Sequence, residues 1–423
     1  MRKILIISPH FPPSNLAAVH RSRLFANHLP NFGWQPIILS VHEKYYEEKP
    51  DWNLFKLLPH SLKVQKVKAL PLTKPRMIGD IGLRAFFYLY NEAKRIIRVE
   101  EIDFIYIPIP SFYCSLLGRL LHAKTGVKYG IDYIDPWVHR FPGSDKIFSR
   151  HWFSTQLAKI LEPIAIKNAS LITGVAEGYY TGVIERNPKL KNIVVGAMPY
   201  GGERSDHQKA KEINLQPYLF SVKADKFQIV YAGAMLPKAY TVLEAIFSAI
   251  VQAAADFDSV EFHFIGTGKT AVDTTGYNIK PLAEKYKLWQ TVVFEYPARI
   301  PYLDVLAHLE AAKGVLVIGS TEPHYTPSKI YQAILSGKPL FAVLHKQSAA
   351  VNMLLEAKAG LVLDFDGEAG LQQINERFVD VFKSYQSFAN QYEPTDVNAV
   401  VFEKYSAEII TKQLATLLNA AVK

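Results

Sequence analysis

Thr326-Pro327-Ser328-Lys329 opens the stretch of this chain best suited by residue type to holding an anion. Apolar bursts with strand character flank it at 314–319 and 339–344. Thr326 is a good N-cap, Pro327 suits the first helical position, and Gly337 suits the C-terminal stop. The pattern predicts strand, loop, short helix, strand. In such a βαβ unit the helix N-terminus points at the carboxyl edge of the sheet, where ligands bind. Free N–H groups and the positive end of the dipole meet there, with the Ser328 hydroxyl and the Lys329 ammonium beside them. Gln332 lies one turn away on the face that carries Ser328. A diphosphate at Ser328 with a ribose hydroxyl at Gln332 fits this arrangement. The plain alternative is a well-capped helix without a ligand.

Other segments place reactive groups after strands. Residues 9–21 follow the first strand and precede a helix, which puts Ser14, Asn15, His20 and Arg21 at the ligand-bearing edge. The bland reading is a surface loop and a packed histidine. Asp132-Tyr133-Ile134-Asp135-Pro136-Trp137-Val138-His139 closes another strand. Carboxylates three apart at a strand end need not face the same way. Asp135, past the strand and before a proline, is the candidate to orient or deprotonate a hydroxyl. His139 is a second acid–base candidate, since imidazole titrates near neutral pH. Asp132 reads as a cap on backbone amides. Gly233 and Lys238 follow the strand at 228–233, Gly266 lies in a tight Gly-x-Gly turn, and Arg299 follows the next strand. For the two cations a plain surface role is the alternative.

These positions need an α/β frame. Strand-like runs at 4–8, 36–40, 104–107, 129–134, 171–175 and 193–195 alternate with helical stretches at 19–29, 112–122 and 153–167. A polar segment, 204–227, follows and reads as a linker. A second alternation then has strands at 228–233, 261–266, 291–294, 314–318, 339–344 and 360–363, with helices at 240–254, 281–287, 302–312 and 348–356. Alternation of this kind implies parallel sheets covered by helices. The expected domains are 1–203 and 228–403, with an amphipathic helix at 404–421 closing the chain.

The quoted motifs resemble those of GT-B glycosyltransferases, especially family 4. Pro327-Ser328-Lys329 and Gly337-Lys338-Pro339 match one variant of that family's donor-site helix. Gln332 stands where the second glutamate of the pattern would be. Eight residues before it is His324, with Glu322 close by. Asp132, Asp135 and Trp137 match a D-x-R-D-x-W-P segment in which Ile134 replaces the arginine. The loop at Gly233 resembles G-R-L-x-P-x-K, with Ala234 in place of the arginine and Lys238 retained. The first loop has Ser14-Asn15 where the family usually has a glycine pair.

The resemblance implies two Rossmann-like domains facing across a cleft, the first taking the acceptor and regaining the closing helix. The second would bind a nucleotide-sugar through Gly233, Lys238, Gly266, Arg299, Glu322, Pro327, Ser328, Lys329 and Gln332. It also implies a retaining, metal-independent sugar transfer without a cofactor, the nucleotide-sugar being a substrate. Asp135 or His139 would manage the acceptor proton, with Ser14, Asn15, His20 and Arg21 on the acceptor side. No DxD pair at a strand end, zinc spacing or P-loop is found in the sequence. Two other classes stay open: a GT-B-fold nucleotide-sugar epimerase and a non-catalytic GT-B partner protein.

At 423 residues, 49% hydrophobic and 21% charged, the chain has globular composition and length for two domains. Its single cysteine, Cys114, excludes an intramolecular disulfide framework and suits a reducing cytoplasm. The N-terminal apolar run ends at Pro9, too short for a signal peptide, and reads as a buried strand. No window approaches a membrane span. Ten basic residues against two acidic ones between 56 and 98 hold +8 of the net +9. Leu83, Phe86, Phe87, Tyr88, Leu89 and Tyr90 interleave with them. That mixture suits an anionic membrane surface at the inner face of the cell membrane, and hence a lipid-linked or polysaccharide-precursor acceptor. A solvated basic face is the alternative, and no nucleic-acid motif accompanies the charge.

Overall fold

Strands that are apolar along their whole length belong in parallel sheets covered on both faces, and this chain builds two such sheets. The computed structural model describes all residues except 74–77, 139–146, 191, 269–272, 274 and 324, and the side chain of Arg150. The acid–base candidate His139 lies outside the described residues. The chain divides into one unit of Met1–Tyr46, Pro50–Tyr200 and Ala407–Lys423, and a second of Glu47–Lys49 and Gly201–Ser406.

The first unit holds β1 (Arg2–Ile7), β2 (Trp34–Val41), β3 (Lys63–Val67), β4 (Phe104–Ile109), β5 (Lys128–Tyr133), β6 (Leu171–Gly174) and β7 (Val194–Ala197). They pair in parallel in the order β3-β2-β1-β4-β5-β6-β7. Successive residues of β1 point to opposite faces. Ile4 and Ile6 meet Phe25 of α1 (Ala17–His28) and Leu414 and Leu418 of the final helix, Ala407–Val422. Leu5 and Ile7 share a core with Leu89 of α2 (Ile81–Glu100), Leu117 of α3 (Ser115–Thr125) and Ala165 of α4 (Arg150–Ile166). The short helix α5 (Thr181–Arg186) precedes β7.

The second unit holds β8 (Phe227–Ala232), β9 (Val260–Ile265), β10 (Val293–Tyr296), β11 (Gly314–Ile318), β12 (Leu340–His345) and β13 (Gly360–Phe365). Their order is β10-β9-β8-β11-β12-β13, again parallel. Its helices are α6 (Arg204–Glu212), α7 (Ala239–Gln252), α8 (Lys280–Lys285), α9 (Tyr302–Ala311), α10 (Ile330–Leu335), α11 (Ala349–Ala357), α12 (Leu371–Gln391) and α13 (Ala399–Glu403). The final helix is α14. An aromatic cluster of Phe257, Phe341, Phe378, Phe382 and Tyr385 fastens α12 to the sheet. Tyr385 donates to the Pro339 carbonyl at 2.8 Å, and its hydroxyl would stand 1.9 Å from a Cβ at Gly314. β11 therefore starts on a residue without a side chain.

The segment 204–227, expected as a linker, is a correction: its first part folds as α6. Polarity there marks a solvent face, while Asp206, His207 and Ala210 turn inward. Asp206 accepts from the Tyr302 hydroxyl of α9 at 2.8 Å. Further along, the backbone N–H groups of Tyr218 and Leu219 both donate to Nε2 of His308, each at 3.1 Å.

In both sheets the order reverses around a central strand. β1 lies between β2 and β4, and β8 lies between β9 and β11. The crevice outside the carboxyl ends of the strands at such a reversal is where open α/β sheets take ligands.

Candidate functional site

In the second unit that crevice lies beyond β8 and β11. Each strand end there donates a backbone N–H to a neighbouring strand. Gly233 donates to Ile265 at 2.7 Å, Gly266 to Tyr296 at 2.8 Å and Gly319 to Val343 at 2.8 Å. Gly233 has φ +109° and Gly266 φ +71°. A Cβ on Gly266 would stand 3.9 Å from the Cα atoms of both Gly233 and Arg299. Gly233, Gly266 and Arg299, expected near one ligand from sequence alone, thus meet at one edge. The turn between β9 and the next segment is pinned by Glu295 of β10. Its carboxylate accepts from Thr267 Oγ1 at 2.5 Å and from the N–H groups of Asn278, Ile279 and Lys280 at 2.9, 3.0 and 2.8 Å.

Lys329 enters the same edge from the other side. Its Nζ donates to the Tyr231 hydroxyl at 3.0 Å and lies 4.1 Å from the centroid of that ring. A Cβ at Gly233 would come within 3.0 Å of this Nζ, so the glycine leaves the space that the ammonium fills. Burial, with Arg299 adding repulsion, pushes the Lys329 pKa down to about 7. No carboxylate among the described residues offsets that fall. Arg299 is itself shifted down by burial. A desolvated cation whose charge is suppressed by a second cation gains a great deal from an anion placed beside it. The sequence pattern missed Tyr231. Its signal was an aromatic hydroxyl two residues before the Gly233 turn.

The helix at this edge differs from the expectation. α10 begins at Ile330, and Lys329 itself occupies the N-cap position without a side-chain bond that caps the helix. Thr326 is not the N-cap and Pro327 is not its first residue. Pro327 instead opens a turn in which its carbonyl accepts from the Ile330 N–H at 3.2 Å. A helical start at Pro327 was inferred from capping grammar, but residues 327–329 turn without completing a helical repeat. The stop is as expected, with Gly337 at φ +71° and its N–H on the Ile334 carbonyl at 3.2 Å. Ser328 is half-buried.

Gln332 has a partner inside the protein. Its Oε1 lies 3.1 Å from Nε2 of His207, whose Nδ1 lies 2.7 Å from Oε1 of Glu310. His207 is buried. A chain of Glu310, His207 and Gln332 therefore ties α9, α6 and α10 together. Sequence spacing gave no hint of it, because the three residues lie far apart in the chain. Lys238 and Glu322 form an exposed ion pair at 3.5 Å, worth little on its own in water.

In the first unit the expected acceptor-side residues divide. Arg21, expected on the acceptor side, is 1% exposed. Its guanidinium grips both Asp132 oxygens at 2.5 and 2.9 Å and donates to the Met198 and Pro199 carbonyls at 2.7 and 3.0 Å. Thr173 donates to the same carboxylate at 2.8 Å. Asp132 is thus an ion-pair partner, not a cap on backbone amides. The pair sets the first turns of α1 against the carboxyl end of β5. Ser14 is fully buried, while Asn15 and His20 are half-buried.

Asp135 is exposed two residues beyond β5. Behind it Trp137 is buried and stacks on Phe112 at 5.8 Å with an interplanar angle of 6°. This anchors the loop that presents Asp135. Asp135 also acts on the phenol of Tyr200, which burial pushes far up and which Asp135 pushes further. Cys114 is buried and its thiol is likewise pushed up by burial.

The basic stretch from 56 to 98 does not form one uniform cationic face. Arg84 is buried, donating to the Leu70 and Tyr45 carbonyls at 2.8 and 3.2 Å. Lys63, Lys66 and Arg95 are paired with Glu100, Glu43 and Glu92 at 3.1, 2.7 and 2.6 Å. Lys74 and Arg76 lie outside the described residues.

No protein-family model matches this chain, and no curated protein matches it. Solved structures do. Sucrose-phosphate synthase from Thermosynechococcus elongatus aligns with TM-score 0.67 at 14% identity over 99% of each chain. HepE from Anabaena, solved in complex with UDP-glucose, aligns with TM-score 0.63 at 15% identity over 99% of this chain and 100% of that one. The UDP-forming α,α-trehalose-phosphate synthase from Burkholderia xenovorans aligns with TM-score 0.64 at 12% identity over 100% of both. Identities this low speak for architecture alone, and that architecture is the GT-B fold.

Proposed function

We propose that this chain is a glycosyltransferase that takes a sugar from a nucleotide-sugar held at the β8–β11 edge of the second unit. The observation that carries the reading is Lys329. A half-buried lysine whose pKa is pushed down to about 7, with its ammonium packed on the bare backbone of Gly233 and close enough to Arg299 to feel its charge, is suited to receive an anion. The diphosphate of a nucleotide-sugar supplies that anion. The solved complexes of HepE with UDP and with UDP-glucose, on the same fold, support this choice of donor.

In this reading the work of catalysis is to stabilise the departing nucleoside diphosphate. Negative charge grows on the leaving oxygen as the sugar bond breaks. Lys329 and Arg299 are fixed before the reaction and need no rearrangement to meet it. Lys329 takes up a proton when the diphosphate arrives, since the new anion favours the charged form. Ser328 and the exposed Lys238 and Glu322 belong to the rim. Gln332 keeps its amide nitrogen for a ribose hydroxyl while His207 holds its oxygen. Asp135 orients or deprotonates the acceptor hydroxyl, attack taking place on the face that the diphosphate leaves. The transfer is then retaining and uses no metal ion. The acceptor is a lipid-linked or polysaccharide precursor at the inner face of the cell membrane.

Donor turnover with and without acceptor tests the reaction class. Release of nucleoside diphosphate that rises on adding a glycan acceptor supports transfer. Interconversion of the donor sugar without acceptor would instead make the chain an epimerase. Nucleotide binding with neither reaction would make it a non-catalytic partner.

A further inference from the structure

α4 is apolar on both sides. Ala158, Ala165 and Ile166 fill the core of the first unit. On the opposite side Phe153, Leu157, Ile160 and Ile164 are 54, 42, 62 and 45% exposed. Steps of four, three and four residues put all four on one stripe of the helix. Phe148, also exposed, packs its ring against Trp152 and Phe153 at 5.7 and 6.2 Å between centroids. A helix on the surface of a globular unit ordinarily turns polar residues outward on that side. A contiguous exposed apolar stripe marks a surface that is covered in use.

At the surface, α3 and α4 carry charge of one sign. Lys159 of α4, Lys167 just past its end and Lys124 of the adjacent α3 are exposed. α3 and α4 contain a single carboxylate between them, Glu162. It is 1% exposed and held by Arg186 at 2.7 and 3.0 Å, so it does not offset the lysines at the surface.

We propose that this outer face of α4 docks on an anionic lipid surface, its apolar stripe entering the headgroup boundary and the flanking lysines meeting lipid phosphates. The sign of the charge chooses the occupant. A second copy of the chain would set the same lysines against each other, whereas anionic headgroups complement them. The stripe is about 17 Å long at 1.5 Å per residue, which suits lying in the interface plane. No helix among the described residues is long and apolar enough to cross a membrane. This surface is distinct from the stretch 56–98 singled out by composition, and it does not depend on the proposed reaction.

Vesicle flotation in the absence of nucleotide tests it, so a failure of the donor reading leaves the result interpretable. The full chain is expected to float with vesicles of equimolar phosphatidylglycerol and phosphatidylcholine at low salt, and not with phosphatidylcholine alone. The double substitution Leu157→Ser and Ile160→Ser is expected to lower the partition coefficient at least about tenfold, with an unchanged circular-dichroism melt because both side chains already face solvent. Lys159→Glu with Lys167→Glu is expected to weaken partition in the same direction. Absence of flotation by the wild type, equal flotation with neutral vesicles, or unchanged flotation of both variants would overturn the proposal. So would a concentration-dependent dimer that the double serine variant dissolves, which would assign the stripe to a second copy.

Discussion

The Lys329 ammonium lies 4.1 Å from the centroid of the Tyr231 ring and 3.0 Å from the hydroxyl of the same side chain. One aromatic residue of β8 thus offers a face and an oxygen to a cation that arrives from the loop after β11. Neither contact neutralises a charge. The contacts fix the position of the ammonium while burial and Arg299 hold its pKa near 7. A cation fixed but not satisfied is prepared for an anion.

The first expectation is a pH dependence of nucleotide binding. The pKa of Lys329 is depressed in the free protein, and a bound diphosphate raises it. Below about pH 7 Lys329 is already protonated and affinity is full. Above it, binding must first recruit a proton, and each pH unit weakens affinity by up to about tenfold until the pKa of the complex is reached. A terminal phosphate loses its own second charge below about pH 6, so affinity peaks between the two. Calorimetry in buffers of different ionisation enthalpy reads the proton uptake. A flat profile from pH 6 to 9 would show that Lys329 does not face the ligand.

Gly233→Ala is expected to damage this site through space and backbone together. The residue has φ +109°, a region that disfavours any side chain, and its Cβ would stand 3.0 Å from Lys329 Nζ. Such strain costs about 1–3 kcal/mol. A lower melting temperature of the second unit should accompany weaker nucleotide binding. Wild-type affinity in a folded variant would mean that the ammonium does not need that space.

Arg21→Met is expected to act on stability rather than on acceptor use. It leaves the Asp132 carboxylate, fully buried, without its cation. Breaking one side of a buried pair typically costs about 3–5 kcal/mol. Chemical denaturation should show the loss. A stable variant with an altered acceptor KM would return Arg21 to the acceptor side.

Asp135→Asn is expected to lower transfer strongly while leaving nucleotide affinity intact, because general-base work contributes roughly 10²–10⁴-fold. Comparing kcat with the donor's Kd separates the two. Transfer at the wild-type rate would make the residue structural.

Much of this architecture was legible in the chain. The strands expected at 228–233, 314–318 and 339–344 correspond to β8, β11 and β12, because uninterrupted apolar runs between turns have little else to become. The helix α2 was read only as a basic aromatic stretch. Its charges masked an inner side made by Ala85, Leu89 and Ala93. α12 was passed over although Phe378, Phe382 and Tyr385 recur at helical spacing. Within the candidate site, Gly233, Gly266, Arg299 and Lys329 were named from local patterns, the first three because they come soon after a strand and Lys329 because it stands at a helix start. The ring of Tyr231 and the tie of Gln332 to His207 and Glu310 were not. Those depend on which elements lie side by side, and a local pattern carries no such information. The buried pairing of Arg21 with Asp132, which joins α1 to β5, was hidden for the same reason.

Titration of Lys329→Ala against the wild type tests the central claim most directly. UDP, GDP and ADP are each titrated calorimetrically near pH 7, and the tightest binder is carried into the variant. If the β8–β11 edge holds the diphosphate, the substitution loses about 1–3 kcal/mol, a rise in Kd of roughly 5- to 150-fold, with the melting profile of the first unit unchanged. An equal Kd in the two proteins, or no binding of any nucleoside diphosphate by the wild type, would contradict it.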